Sequence, residues 1–243
     1  MMKKTTLFSL LVPAALLVGC HERSAVNGLT VEMLDCPLGV AAEHPRLSWR
    51  IESALPATVQ TGYRILVSTD PGDLETGENL IWDSGDVPSD RSVLVPYEGP
   101  ELESRRDYYW KVRVATNHGD TLWSEPSRWS MALLDDSDWQ ARWIGYDSCL
   151  NRTDTLGVFS RLAARYLRKE FDAGRDIAQA RLYISGLGLY ECYLNGCRVG
   201  EDVLAPTATD YTKTVCYNVY DVTDLLDEGV NTIGVILGNG RFF

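Results

Sequence analysis

Gly186–Tyr211 reads GLGLYECYLNGCRVGEDVLAPTATDY, and this stretch decides how the chain is read. Leu189–Leu194 has the two-residue alternation of a strand that is buried on one side. Asn195-Gly196 follows at once. A type I′ turn needs positive φ at both central residues, which Asn and Gly tolerate. Cys197–Val199 then returns as the partner strand, and Pro206 marks the loop beyond it. A two-residue turn fixes the register, with Leu194 opposite Cys197 and Cys192 opposite Val199. Cys192 and Cys197 are therefore diagonal, and no disulfide is expected between them. Tyr190 and Tyr193 fall on opposite faces.

Working outward, strand signals recur at Tyr166–Phe171, Ala180–Ser185, Val215–Tyr220 and Thr232–Leu237. Asp221–Leu226 looks like a short turn capped by Asp221 or Thr223. This half predicts an antiparallel jelly-roll sandwich. A strand stands directly before Gly238, and no closing strands follow, so an incomplete sandwich is expected. Upstream, Leu29–Leu34, Arg46–Ile51, Gly62–Ser68, Leu80–Ser84, Ser92–Val95, Tyr108–Thr116 and Arg128–Met131 alternate in the same way. Prolines punctuate their connections. Strands at this spacing predict a sandwich like fibronectin type III, with no amphipathic helix of useful length. The acidic run Asp135–Asp138 reads as the joint, with Trp139 and Trp143 packing it. A helical turn is expected near Phe159–Ala164. The fold class is all-β: a fibronectin type III-like sandwich over 24–134, then a jelly roll over 135–243 truncated at its C-terminal end.

Met1–Cys20, MMKKTTLFSLLVPAALLVGC, is an address rather than part of the fold. Lys3 and Lys4 precede the apolar run Leu7–Val18, which is shorter than the roughly 20 residues that span a bilayer. Leu17-Val18-Gly19-Cys20 reads as a lipobox with Cys20 as the lipidated thiol. The expected location is that of an exported bacterial lipoprotein, periplasmic or attached to the outer membrane, touching membrane through its lipid anchor only. The formal charge of −11 argues against a nucleic-acid partner. Cys36, Cys149, Cys192, Cys197 and Cys216 show neither a disulfide framework nor zinc spacing, so buried free thiols are expected. His21, His44 and His118 are isolated.

Further signatures run along the chain: Pro37-Leu38-Gly39, Pro45-Arg46-Leu47-Ser48-Trp49, Trp82-Asp83-Ser84-Gly85, Tyr108-Tyr109-Trp110, Asp138–Gly145, Leu167–Phe171, Asp210-Tyr211, Tyr220-Asp221-Val222-Thr223 and Gly238-x-Gly240. In this order and spacing the chain resembles the N-terminal β domains of the bacterial α-L-rhamnosidases of glycoside hydrolase family 78. The resemblance implies hydrolysis of terminal α-L-rhamnose from glycans or glycosides with inversion, by two carboxyl groups on an (α/α)6 barrel. No position here matches those carboxyls, so no catalytic residue is assigned, and the chain by itself is expected to be inactive. The alternative reading is a stand-alone carbohydrate-binding lipoprotein; an adhesion protein of fibronectin-like modules is a third. Some related jelly rolls bind rhamnose with calcium. Candidate sugar or calcium ligands are Asp210, Asn218, Asn231 and Asn239, with Asp202 beside them; turn and cap roles are the competing reading. The expected partner is a rhamnose-containing glycan or glycoside.

Overall fold

The computed structural model describes residues 24–145 and 164–240. The lipobox with Cys20, Cys149, the helical turn expected near Phe159–Ala164 (all but its last residue) and the Phe242-Phe243 end lie outside the described residues. The first sandwich contains β1 (Ala25–Val31), β2 (Arg46–Glu52), β3 (Gln60–Ser68), β4 (Trp82–Asp83), β5 (Val95–Pro96), β6 (Asp107–Thr116), β7 (Thr121–Trp123) and β8 (Ser127–Ser130). One sheet runs β1-β2-β5; the other runs β4-β3-β6-β7, with β8 also pairing to β6. The alternation on β6 does what its sequence implies. Tyr108, Trp110, Val112 and Val114 are buried, and they meet Trp49 and Trp129 from the opposite layer and β8. Buried rings need partners for their polar ends. The Trp49 indole donates to Gln60 Oε1 at 2.9 Å.

One short helix interrupts the strands, α1 (Pro71–Thr76). Asp70 caps it by accepting from Gly72 N at 2.8 Å, Pro71 fits the first turn, and Gly77 closes it at φ 74°. Its six residues are too few to show helical periodicity in the sequence. β7 was not expected either, because three residues are too short for alternation to register.

The second sandwich contains β9 (Arg165–Asp172), β10 (Arg181–Ile184), β11 (Leu189–Leu194), β12 (Cys197–Arg198), β13 (Asn218–Asp221) and β14 (Val230–Gly238). A four-stranded sheet, β12-β11-β14-β9, packs against the pair β10-β13. All of these pairings are antiparallel. The fold is therefore all-β, as expected. The hairpin forms with Asn195 at φ 51° and Gly196 at φ 86°, and Leu194 faces Cys197. Val199 N donates to Cys192 O at 2.8 Å, so the two cysteines are diagonal. The cysteines correct one expectation. Cys192 is buried and Cys216 half-buried, but Cys36, in the β1–β2 connection, and Cys197, on the edge strand β12, are exposed.

The small sheet β10-β13 has two jobs. One face carries Leu182, Ile184 and Tyr220 into the second core. The other face carries Arg181, Tyr183 and Val219 toward the first sandwich, as the pairing register dictates. Arg181 pairs with Asp107 and also donates to Arg105 O at 3.1 Å. Gln179 donates to Asp107 at 3.2 Å, and Leu133 N donates to the Tyr217 hydroxyl at 2.9 Å. Trp139 packs at 5.6 Å from Tyr217, as expected of the joint. Trp143 does not pack the joint; it is 61% exposed.

Candidate functional site

A groove of about 680 Å³ opens between β10 and the inner face of β14 and β9. Antiparallel pairing builds its floor from Leu237 beside Arg165, Val235 beside Leu167 and Ile233 beside Lys169. Leu182 and Ile184 form one wall, and the segment from Trp139 to Gly145 forms the other. The glycines of Gly186-Leu187-Gly188 are there because space is short. A Cβ on Gly188 would run into the carbonyl of Gly238, and Gly188 holds φ 149°. A Cβ on Gly186 would press on Tyr190 and Leu237 at 3.2 and 3.3 Å. Arg142, Arg165, Arg168 and Lys169 line the groove, and no Asp or Glu does.

Tyr190 marks the inner end of this groove and starts a hydrogen-bonded chain. Its hydroxyl donates to Asn218 Oδ1 at 3.0 Å, and it neighbours the Tyr220 hydroxyl, which donates to Asp202 at 2.7 Å. Burial pushes the Tyr220 phenol up to about 12, helped by Asp202. Burial pushes Tyr190 well above the usual phenol range and the Cys192 thiol up to about 11. These groups stay protonated and neutral near pH 7.

Two of the expected ligands, Asp202 and Asn218, thus belong to one network, joined through tyrosines. The others lie apart. Asp210 accepts from Thr212 N and Oγ1 at 3.2 and 2.6 Å and from Lys213 at 2.9 Å. Thr212 and Lys213 hold its carboxyl below the ordinary value. Asn231 is 1% exposed, and its amide is fully engaged. Its Nδ2 donates to Asp227 O and Gly229 O at 2.8 and 2.9 Å; its Oδ1 accepts from Asp227 N and Asn195 Nδ2 at 2.8 and 2.7 Å. Asn239 is exposed beyond the far end of β14. Eight residues of strand separate it from Asn231, about 26 Å at ~3.3 Å per residue. The five side chains do not share one oxygen cage. Among the described residues no group of three or more His, Cys, Asp or Glu could hold a metal ion. Sequence reasoning missed the cationic rim, although the alternation of β9 carried a signal for it.

Two family models match this chain. An N-terminal immunoglobulin domain described as Rha78A-like covers residues 26–135, and an α-L-rhamnosidase N-terminal domain covers residues 175–243. An α-L-rhamnosidase of Formosa agariphila is 35% identical over 259 residues, covering 97% of this chain and 27% of the relative. One from Streptomyces avermitilis is 35% identical over 228 residues, covering 88% and 22%. Among solved structures, the α-L-rhamnosidase from Dictyoglumus thermophilum superposes with a TM-score of 0.77 at 34% identity, over 89% of this chain and 25% of that one. The enzyme from Aspergillus terreus gives 0.73 at 31% identity, over 90% and 24%. The chain spans about a quarter of the length of the curated relatives it matches.

Proposed function

From a chain that belongs to the α-L-rhamnosidase family as its N-terminal portion, we propose a non-catalytic role within an exported enzyme. That enzyme removes terminal α-L-rhamnose from glycans or glycosides with inversion. The carrying observation is that both sandwiches match N-terminal rhamnosidase domains. Inversion needs two carboxyl groups about 6.5–9.5 Å apart, one donating to the leaving oxygen and one activating water. In this proposal the two carboxyl groups belong to a helical barrel, as the family resemblance implies, and not to either sandwich. The two sandwiches and their hydrogen-bonded joint act as a scaffold beside that barrel.

The test is release of 4-nitrophenol from 4-nitrophenyl α-L-rhamnoside. The chain alone should be inactive and the longer protein active, with β-L-rhamnose as the first product by NMR. Rhamnose release by the chain alone would overturn the reading. Export rests on the basic and apolar N-terminal run ending at Cys20. Cells should incorporate radioactive palmitate into the chain and lose that label with Cys20→Ser; an unlabelled wild type would end the lipoprotein proposal.

A further inference from the structure

The end of the first sandwich where β1 begins differs in chemistry from its sides. Ser24 leads into β1, and its hydroxyl shares a hydrogen bond of 2.7 Å with the Ser53 hydroxyl. Ser53 opens the β2–β3 loop, residues 53–59, which reads SALPATV. No charged residue occurs from 53 to 63. Leu55 and Val59 are 48% and 52% exposed, and Ala54 and Pro56 are exposed with them. Hydrogen bonds brace the loop while these side chains stay in water. The Thr58 hydroxyl bridges Leu55 O at 2.8 Å and Ser53 Oγ at 3.0 Å. Asn117, in the β6–β7 turn, accepts from Val59 N at 2.9 Å and donates to Ala57 O at 3.1 Å. Charged groups resume at the edges, at Glu52 on β2 and Asp120 in the β6–β7 turn. The sides of the sandwich carry ion pairs instead. Arg64–Asp83, Arg113–Asp86 and Lys111–Glu75 lie over one sheet, and Arg46–Glu32 lies by the other.

We propose that this loop rests on a lipid bilayer, with Leu55 and Val59 at the boundary of headgroups and acyl chains. The proposal rests on the reading of Cys20 as the acylated residue. Cys20 stands four residues before Ser24, a reach of at most about 14 Å for extended chain. The tether therefore keeps the 53–59 loop close to the lipid surface. Thr116, which pairs with Gln60 at the loop end, and Asp107 are the two ends of β6, about 30 Å apart at ~3.3 Å per residue. The second sandwich is joined at the Asp107 end, through Arg181. The tether alone would let the first sandwich lie on its side; the chemistry of its surfaces selects the end. Ion-paired sides would lose hydration at the boundary, whereas apolar side chains gain by leaving water. A formal charge of −11 also opposes contact with an anionic bilayer, and the uncharged loop meets that bilayer with least repulsion. Two side chains bury far less than one myristoyl chain, itself only marginally bound. The acyl groups therefore hold the chain, and the loop orients it. The first sandwich then stands upright and carries the second away from the lipid.

The experiment labels cells with radioactive palmitate. The purified chain is then reconstituted in phosphatidylethanolamine–phosphatidylglycerol vesicles that contain brominated lipid, which quenches indole fluorescence on contact. Leu55→Trp and Val203→Trp each add one ring, the first in the loop and the second on the second sandwich, where Val203 is 79% exposed. Both sites are exposed, so the fold should survive either change; unchanged melting by circular dichroism checks this. With the wild-type signal subtracted, the Leu55→Trp ring should lose fluorescence and shift to the blue. Bromine near the carbonyl end of the acyl chain should quench it more than bromine at the bilayer centre. The Val203→Trp ring should keep its fluorescence. Adding Val59→Asp to Leu55→Trp should reverse most of the quenching, with palmitate still attached. A palmitoylated protein whose Leu55→Trp ring is unquenched would overturn the loop contact and leave the lipoprotein reading standing. Equal quenching of the two rings would also overturn it, because the chain would then lie on lipid without a preferred face. Absence of palmitate would remove the lipoprotein reading and the loop contact with it.

Discussion

Asn231 shows how a residue that reads as a ligand becomes structural. Its amide closes the Asp227–Gly229 turn and reaches Asn195 in the hairpin across the sheet. Asn195 in turn accepts from Thr232 N at 2.9 Å. Removing a buried amide that serves four partners leaves several of them unsatisfied. Asn231→Ala should cost about 2–3 kcal/mol in urea unfolding. A loss below about 0.5 kcal/mol would mean the turn does not depend on it. Alongside Tyr190 and Tyr97, whose phenols burial also raises, Cys192 and Tyr220 contribute to the alkaline limit. Their folded values, about 11 and about 12, lie above the ordinary 9.0 and 10.0. A raised value makes a contribution that is complete below the unfolded value and lost as pH rises through the folded one. The melting temperature should therefore start to fall above about pH 9 and steepen above about pH 10. Cys192→Val, close in volume and without a proton to lose, should flatten the slope between pH 9 and 10. An unchanged slope would place the sensitivity elsewhere.

At the scale of elements, the hairpin and most strands were legible, while α1, β7 and the facing of β10 and β13 were not. Asn195-Gly196 is a local signal, because positive φ at two successive residues is a property of those residues alone. A side chain at Gly196 would have open space but not the backbone conformation. Gly196→Val should cost about 1–2 kcal/mol, mostly from the left-handed backbone, read as a drop in melting temperature. A neutral result would show that the turn relaxes to another type. β10 and β13 are four residues each, and their sequence does not say that one face will serve the second core and the other the first sandwich. The long strands β6 and β14 met expectation, since nine or ten residues give alternation room to show.

Across the whole molecule, the joint is made by the acidic run, whose Asp138 accepts from Ser104 and at its carbonyl from Arg105, together with side chains from both sandwiches. Arg181 and Asp107 have side chains only 9% and 20% exposed, and the Arg105 carbonyl and Gln179 add hydrogen bonds to the pair. Removing one partner of such a pair strands the other in a poorly hydrated place. The usual loss of about 3–5 kcal/mol for a fully buried pair is reduced here by the water that reaches Asp107. Asp107→Ala should therefore cost about 1–3 kcal/mol. It should also split a single calorimetric transition into two and make Asp135–Asp138 more sensitive to protease. One intact transition in the variant would show that the Trp139–Tyr217 packing holds the joint without the ion pair.

The sequence by itself determined the all-β class, the order of the longer strands, the hairpin and its register, and the likeness to rhamnosidase N-terminal domains. Each of these is carried by neighbours in the chain: alternation, turn residues, and the spacing of short motifs. Only the tertiary structure decided that Arg181 meets Asp107, 74 residues away. It also decided that Asn231 is consumed by its own turn while Asp202 and Asn218 share a tyrosine network, and that cations from β9 and the Trp139–Gly145 segment line one apolar groove. Such contacts depend on how sheets stack, and stacking brings together residues whose separation along the chain carries no local signal.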